Sequence, residues 1–211
     1  MRFYFERVEN SRNFANKVWN ASRFIMMNME QALEKTGSAL TTPAAADFEP
    51  VDKWILSKLN TLVKDVTENM ENFELGIAVQ NLYDFIWDVF CDWYIEIAKI
   101  RLNGDNEDGK KTARAVLVYV MSNTLKLLHP FMPFITEEIW LALPHDGESI
   151  MISEWCKYDE ALNFSVEEEA MEHVMTAIKA VRNRRAEMNV PPSKKAKLYI
   201  ATKYTEDFTN G

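Results

Sequence analysis

From Leu75 to Leu102 the string LGIAVQNLYDFIWDVFCDWYIEIAKIRL places Ile77, Leu82, Tyr83, Phe85, Ile86, Trp87, Val89, Phe90, Trp93, Tyr94 and Ile97 at mixed three- and four-residue spacings. Such spacing wraps apolar surface around most of a helix, so this helix is expected at the centre of the fold. Its acids, Asp84, Asp88, Asp92 and Glu96, recur every fourth residue and form one slowly drifting line, the only face left for polar work. A solvated or salt-bridged edge is the ordinary reading of such a line. A carboxylate-bridged metal site would need Glu-x-x-His pairs on neighbouring helices, and the sequence has none.

A second long helical period runs from about Phe5 to Glu34. On a wheel of about 100° per residue, Phe14, Ala15, Val18, Ala21, Ser22, Ile25 and Met26 share one side, with Trp19 at its edge. The opposite arc collects Arg12, Asn13, Asn16, Lys17, Asn20, Arg23 and one aromatic, Phe24. Asn is a poor helix former, and a face that only meets water is better built from Glu, Lys or Ala. A lone exposed Phe carries no message by itself. Beside Asn, Lys and Arg it completes the minimum set for stacking on a splayed base while bonding that base's edge and phosphate.

The remaining elements follow from periodicity and breakers. Trp54, Ile55, Leu59, Leu62, Val63 and Val66 mark a helix over 51–70 with Asp52 as its N-terminal signal, preceded by a loop across Lys35 to Pro50. The turn cluster NGDNEDG ends the central helix, and the next helix runs to about Leu128. Pro130 and Pro133 break the chain and re-aim it into a helix through Trp140. SIMISEW, 149–155, alternates like an edge strand or extended arm, and Ser165 with Glu168 has the spacing of a capping box opening a helix to about Met188. Pro191 and Pro192 stop that helix, and AKLYIAT, 196–202, has strand character with no partner strand. The pattern predicts an all-α helical bundle over 1–145. Residues 146–211 are expected to form an extended arm, a helix and the start of a small α/β subdomain, with both chain ends looking cut.

Composition agrees with a helical body: 211 residues, 47% hydrophobic, with only six glycines against twelve Phe, eleven Met and six Trp. Cys91 and Cys156 are too few for a disulfide framework or a zinc site, which makes the cytosol the expected compartment. No apolar run is long enough to span a membrane. His129 has no Cys, His or carboxylate at ligand spacing and is expected to end a helix, and neither His145 nor His173 implies chemistry. No nucleophile-base pair stands at useful spacing, which weighs against a stand-alone helical enzyme. The net charge of -8 conceals segregation: residues 1–24 hold +3, residues 179–197 hold +6, and residues 25–178 hold -16. Basic surfaces at both ends of an acidic body suit a locally steered polyanion, though a protein-interaction scaffold for a basic partner shares the acidic midsection.

Five strings carry a family resemblance: SRNFANKVWNASRF at 11–24, DKWILSKLN at 52–60, FCDWYIEIAK at 90–99, LKLLHPFMPFITEEIW at 125–140 and VRNRRAEMNVPPSKKAKLYI at 181–200. Together they resemble the region downstream of the catalytic core in class I aminoacyl-tRNA synthetases of the valine, isoleucine and leucine group, most closely the valyl branch. The resemblance implies a non-catalytic anticodon-binding bundle that recognises tRNA(Val) and leads toward a C-terminal coiled-coil arm. It implies no DNA or membrane partner and no cofactor or metal in this stretch. ATP and magnesium are implied for a full-length, monomeric, valine-attaching enzyme, whose HIGH and KMSKS motifs are absent here; Ser193, Lys194 and Lys195 look like the latter only superficially. It further implies that Phe24 stacks on an anticodon base and that Lys17 suits a phosphate. Arg12, Asn13, Asn16, Asn20 and Arg23 become edge or backbone contacts, and Glu96 with Lys99 meets a cytosine amine. Lys179, Arg182 and Arg185 are weaker candidates for the tRNA backbone. The equivalent isoleucyl or leucyl domain is the alternative within the group.

Overall fold

A computed structural model describes residues 5–36, 47–191 and 193–208. The helices are α1 (Phe5–Thr36), α2 (Pro50–Glu71), α3 (Leu75–Asp84), α4 (Ile95–Leu102), α5 (Glu107–Leu128), α6 (Pro133–Ala142) and α7 (Ser165–Glu187), and a π-helical segment, Phe85–Tyr94, joins α3 to α4. Most of the loop expected before α2 lies outside the described residues, as do residues 1–4, Pro192 and 209–211. Two compact units divide between Asn163 and Phe164. Residues 146–163 belong to the first of these units. Asn60 of α2 donates to the Asp159 carbonyl at 2.8 Å, and the indole N–H of Trp155 donates to Thr67 Oγ1 at 2.9 Å.

The first unit is a helical bundle packed on the central helix. Its dihedrals stay right-handed helical at Asp84, Phe85, Tyr94 and Ile95, so α3, the π-segment and α4 form one unbroken rod. Leu82, Phe85, Ile86, Phe90, Tyr94 and Ala98 are buried from this rod, while Ile77 stays half exposed. Trp54, Ile55, Ile25, Leu117, Leu125 and Ile139 complete the interior from α2, α1, α5 and α6. Each large apolar side chain so removed from water contributes on the order of 2 kcal/mol.

One ion pair sits inside this core. Asp52 has no exposed surface, and its carboxylate accepts from Arg101 Nη1 at 2.7 Å, from the Tyr94 hydroxyl at 2.7 Å and from the Glu49 N–H at 3.1 Å. Arg101 Nε lies 3.2 Å from Glu49 Oε1 in an ion contact without a hydrogen bond. Asp52 is thus both the helix-start residue its position suggested and the buried link between α2 and α4. Elsewhere the expected punctuation forms: Asn106 caps α5 by accepting from the Gly109 N–H, Pro133 opens α6, and His129 bonds Thr136 Oγ1 at 2.7 Å across the break.

Two extended segments differ from expectation. SIMISEW contains a 3-10 turn, Ile150–Ile152, which buries Ile150 and leaves Met151 outside, and Ser149 caps it. Residues 196–202 form neither helix nor strand, and no strand occurs among the described residues, so the predicted α/β character of the annex is not seen. The physical reason is the missing partner: an isolated strand leaves its backbone groups unpaired. Within the second unit α7 begins at Ser165 with Phe164 in the cap position, one residue earlier than a Ser165 cap requires. The His173 ring stacks on Tyr204 with centroids 3.9 Å apart and bonds Asp207 at 2.7 Å, holding the 3-10 turn Thr205–Phe208 against α7.

Replacing Arg101 with Met leaves the Asp52 carboxylate buried without its cation, and we expect urea unfolding to register a loss of about 3–5 kcal/mol, partly recovered in Arg101→Met with Asp52→Leu. A pH dependence follows from the thiols. Burial pushes both Cys91 and Cys156 from 9.0 up to about 11, and burial followed by the Asp52 charge raises Tyr94 as well. Unfolded thiols ionise first, so stability is complete below pH 9 and falls as pH rises toward about 11. Unfolding at pH 8 and at pH 10.5 measures the drop, which shrinks when both cysteines are changed to Ala.

Candidate nucleic-acid interface

The burial of α1 follows its wheel. Phe14, Val18, Ala21, Ser22 and Ile25 are buried against the bundle, with Ala15 and Met26 at intermediate depth and Trp19 at 38% exposure. That orientation leaves Arg12, Asn13, Asn16, Asn20 and Arg23 exposed on the far side. Phe24 and Lys17 sit at the border, each partly covered by the central helix. The acids expected to share a line, Asp84, Asp88, Asp92 and Glu96, are all exposed.

Where the two surfaces meet, long-range contacts appear. Lys17 Nζ bonds Asp92 Oδ1 at 2.7 Å and lies 3.8 Å from the centre of the Trp87 ring. Trp87 stacks on Tyr83 at 5.5 Å, and Tyr83 stacks on Phe14 of α1 at 4.9 Å. Further along, Lys99 Nζ is 5.5 Å from the centre of the Phe24 ring and 2.6 Å from Glu96 Oε1. The carbonyl of Phe24 accepts from Asn28 Nδ2 at 2.8 Å.

Phe24 and Lys99, from two distant strings, thus come together at a partly exposed aromatic ring, with Glu96 bonded to Lys99 beside them. Asn20 and Arg23 adjoin Phe24 on α1, whereas Arg12 and Asn13 lie about 16–18 Å from it toward the N-terminus of α1 by helical rise. Lys17 is placed differently from a free phosphate hook, because its ammonium is already held. Lys179, Arg182 and Arg185 belong to α7 in the second unit, where Arg185 also donates to the carbonyls of Pro191 and Lys194 at 2.7 Å. Sequence reasoning missed Trp87 and Tyr83 as border residues, since their spacing marks them only as apolar; the available signal was their polar termini beside an acidic line.

An aromatic face flanked by a carboxylate, an ammonium, amides and guanidinium groups offers stacking, edge recognition and phosphate contact in one place. Among the described residues no three His, Cys, Asp or Glu gather in a metal-holding group. Residues 52–200 match the family model described as the anticodon-binding domain of tRNA ligase. The chain belongs to that family. The matched stretch of this anticodon-binding domain runs from α2 through α7, and α1 precedes it.

Full-length comparison takes in α1 as well. The chain is 51% identical over 213 residues to the valine–tRNA ligase of Clostridium perfringens (strain 13 / Type A), covering 100% of this chain and 24% of that protein. It is 51% identical over 201 residues to the valine–tRNA ligase of Clostridium tetani (strain Massachusetts / E88), covering 95% and 22% respectively. Over 207 residues it is 50% identical to that of Geobacillus stearothermophilus, covering 96% and 22%. This anticodon-binding domain therefore spans about a quarter of the length of the curated relatives it matches. No helix among the described residues is long and apolar enough to cross a membrane.

Proposed function

We propose that this domain reads the anticodon of tRNA(Val) as part of a valine–tRNA ligase, which joins valine to that tRNA using ATP and magnesium bound outside the residues described. The observation that carries the reading is the convergence of Phe24, Glu96 and Lys99, with Asn20 and Arg23 alongside. The Phe24 ring supplies a stacking platform for an unpaired base. Glu96, with its carboxylate exposed, accepts from the exocyclic amine of a cytosine, a donor that uracil lacks. The amide oxygens of Asn13, Asn16 and Asn20 suit the amine of an adenine in the same way. Arg12 and Arg23 face outward for the backbone, and Lys179, Arg182 and Arg185 offer a second, weaker backbone surface. Valine anticodons end in A then C, so this donor order matches an acceptor-rich face.

The test is binding of anticodon stem–loops that differ only in the final C or U. The domain is expected to prefer C by about tenfold or more, and Glu96→Ala is expected to remove that preference. Phe24→Ala should weaken both stem–loops by about 1–3 kcal/mol, measured by fluorescence titration. Arg23→Ala should leave the preference intact and reduce the slope of log affinity against log salt by about one. Equal binding of the C and U stem–loops by the unaltered chain would refute the reading.

A further inference from the structure

Trp87 and Asp92 stand five residues apart, a step that turns a side chain about 140° around an α-helix. In that geometry the two would not approach one ammonium group from neighbouring directions. Both lie inside the π-segment, where hydrogen bonds close from i to i+5 and the same step spans roughly one turn. The Trp87 ring and the Asp92 carboxylate therefore both reach Lys17, at 3.8 Å from the ring centre and 2.7 Å from Oδ1.

A second regularity concerns register. Lys17 meets Asp92 and Phe24 meets Lys99, so the two rungs between α1 and the central helix are separated by seven residues on both. On α1 two turns return the side chain to the same face, while on the central helix the same count carries the contact out of the π-segment and into α4. Below them Phe14, Tyr83 and Trp87 stack in sequence and Lys17 closes the series, so the ladder begins and ends on α1. An exposed ion pair alone contributes little. Here the Lys17 side chain is only 21% exposed, and the ring contact adds to the pair.

We propose that Lys17 is a positioning residue: Trp87 and Asp92 clamp it, the clamp fixes the gap between α1 and the central helix, and that gap sets how a base meets Phe24 and Glu96. Phosphate contact falls to Arg12 and Arg23, which are exposed. A cation already paired with a carboxylate adds no net charge at its place, so it releases few counterions when RNA binds. The inference rests on the anticodon-reading role and deepens it.

The 211-residue chain and its Lys17→Met, Lys17→Arg, Asp92→Asn and Arg23→Ala variants are titrated with the C and U stem–loops across a salt series, after urea unfolding confirms that each folds. Lys17→Met and the near-isosteric Asp92→Asn are each expected to cut the preference for C about fivefold, as coupled neighbours do. Lys17→Met is expected to leave the salt slope unchanged while Arg23→Ala makes it shallower by about one. Lys17→Arg, which keeps a cation for both partners, should restore most of the preference. A slope shallower by about one in Lys17→Met, with the preference intact, would overturn the clamp and make Lys17 a phosphate contact. Tighter binding by Asp92→Asn with the preference intact would overturn it too, making Asp92 a competitor for the lysine. If the unaltered chain shows no preference at all, the reading of function fails and the clamp falls with it, a result distinct from either of the other two.

Discussion

A long helix laid against a bundle can bury only part of its circumference, and for α1 that restriction decides everything polar. Phe14, Val18, Ala21, Ser22 and Ile25 must face inward together, because leaving them in water would forfeit on the order of 1–3 kcal/mol for each large apolar side chain. Once they do, the position of every other residue on the helix is fixed. Asn13, Asn16, Asn20 and Arg23 have no choice but to face solvent. The border residues Lys17 and Phe24 have no choice but to meet the central helix. The polar face proposed for recognition is thus a geometric consequence of the dry face.

The central helix meets the opposite demand, since it is apolar on most of its circumference and needs neighbours all round. α2 and α5 supply them, and the Asp52–Arg101 pair ties α2 to α4 inside the resulting core. Such a pair is a weak source of net stability but a strong source of uniqueness, because either partner alone would be a buried unbalanced charge. The π-segment adds a second kind of specification. By widening the turn over Phe85–Tyr94 it re-aims side chains that an ordinary helix would spread apart, and it does so where α1 crosses.

Helical periodicity carried the architecture. The core of α1, the inward residues of α2, the break at Pro130 and Pro133 and the exposed acidic line were all readable from spacing and breakers, because each depends on residues within a few turns of one another. The partners of Lys17 were not readable in the same way: Asp92 is 75 residues away, and no local rule links them. The π-turn was equally hidden, since the apolar pattern from Leu75 to Leu102 is compatible with either helical pitch. SIMISEW alternates as a strand would, yet burial of Ile150 and the Ser149 cap are satisfied by a 3-10 turn. Asp52 was legible as a helix-start acid but not as the buried counterion of Arg101, because only tertiary packing gives it that second role.

The most direct measurement of the central claim is a nuclear magnetic resonance titration of the labelled chain with a valine anticodon stem–loop, following the side-chain amides of asparagine. The account predicts that the signals of Asn13, Asn16 and Asn20 shift in step with the RNA. Asn60, held inside the bundle by the Asp159 carbonyl and Asn163 Oδ1, stays in place. Shifts confined to α7, with the α1 amides unmoved at saturation, would contradict it.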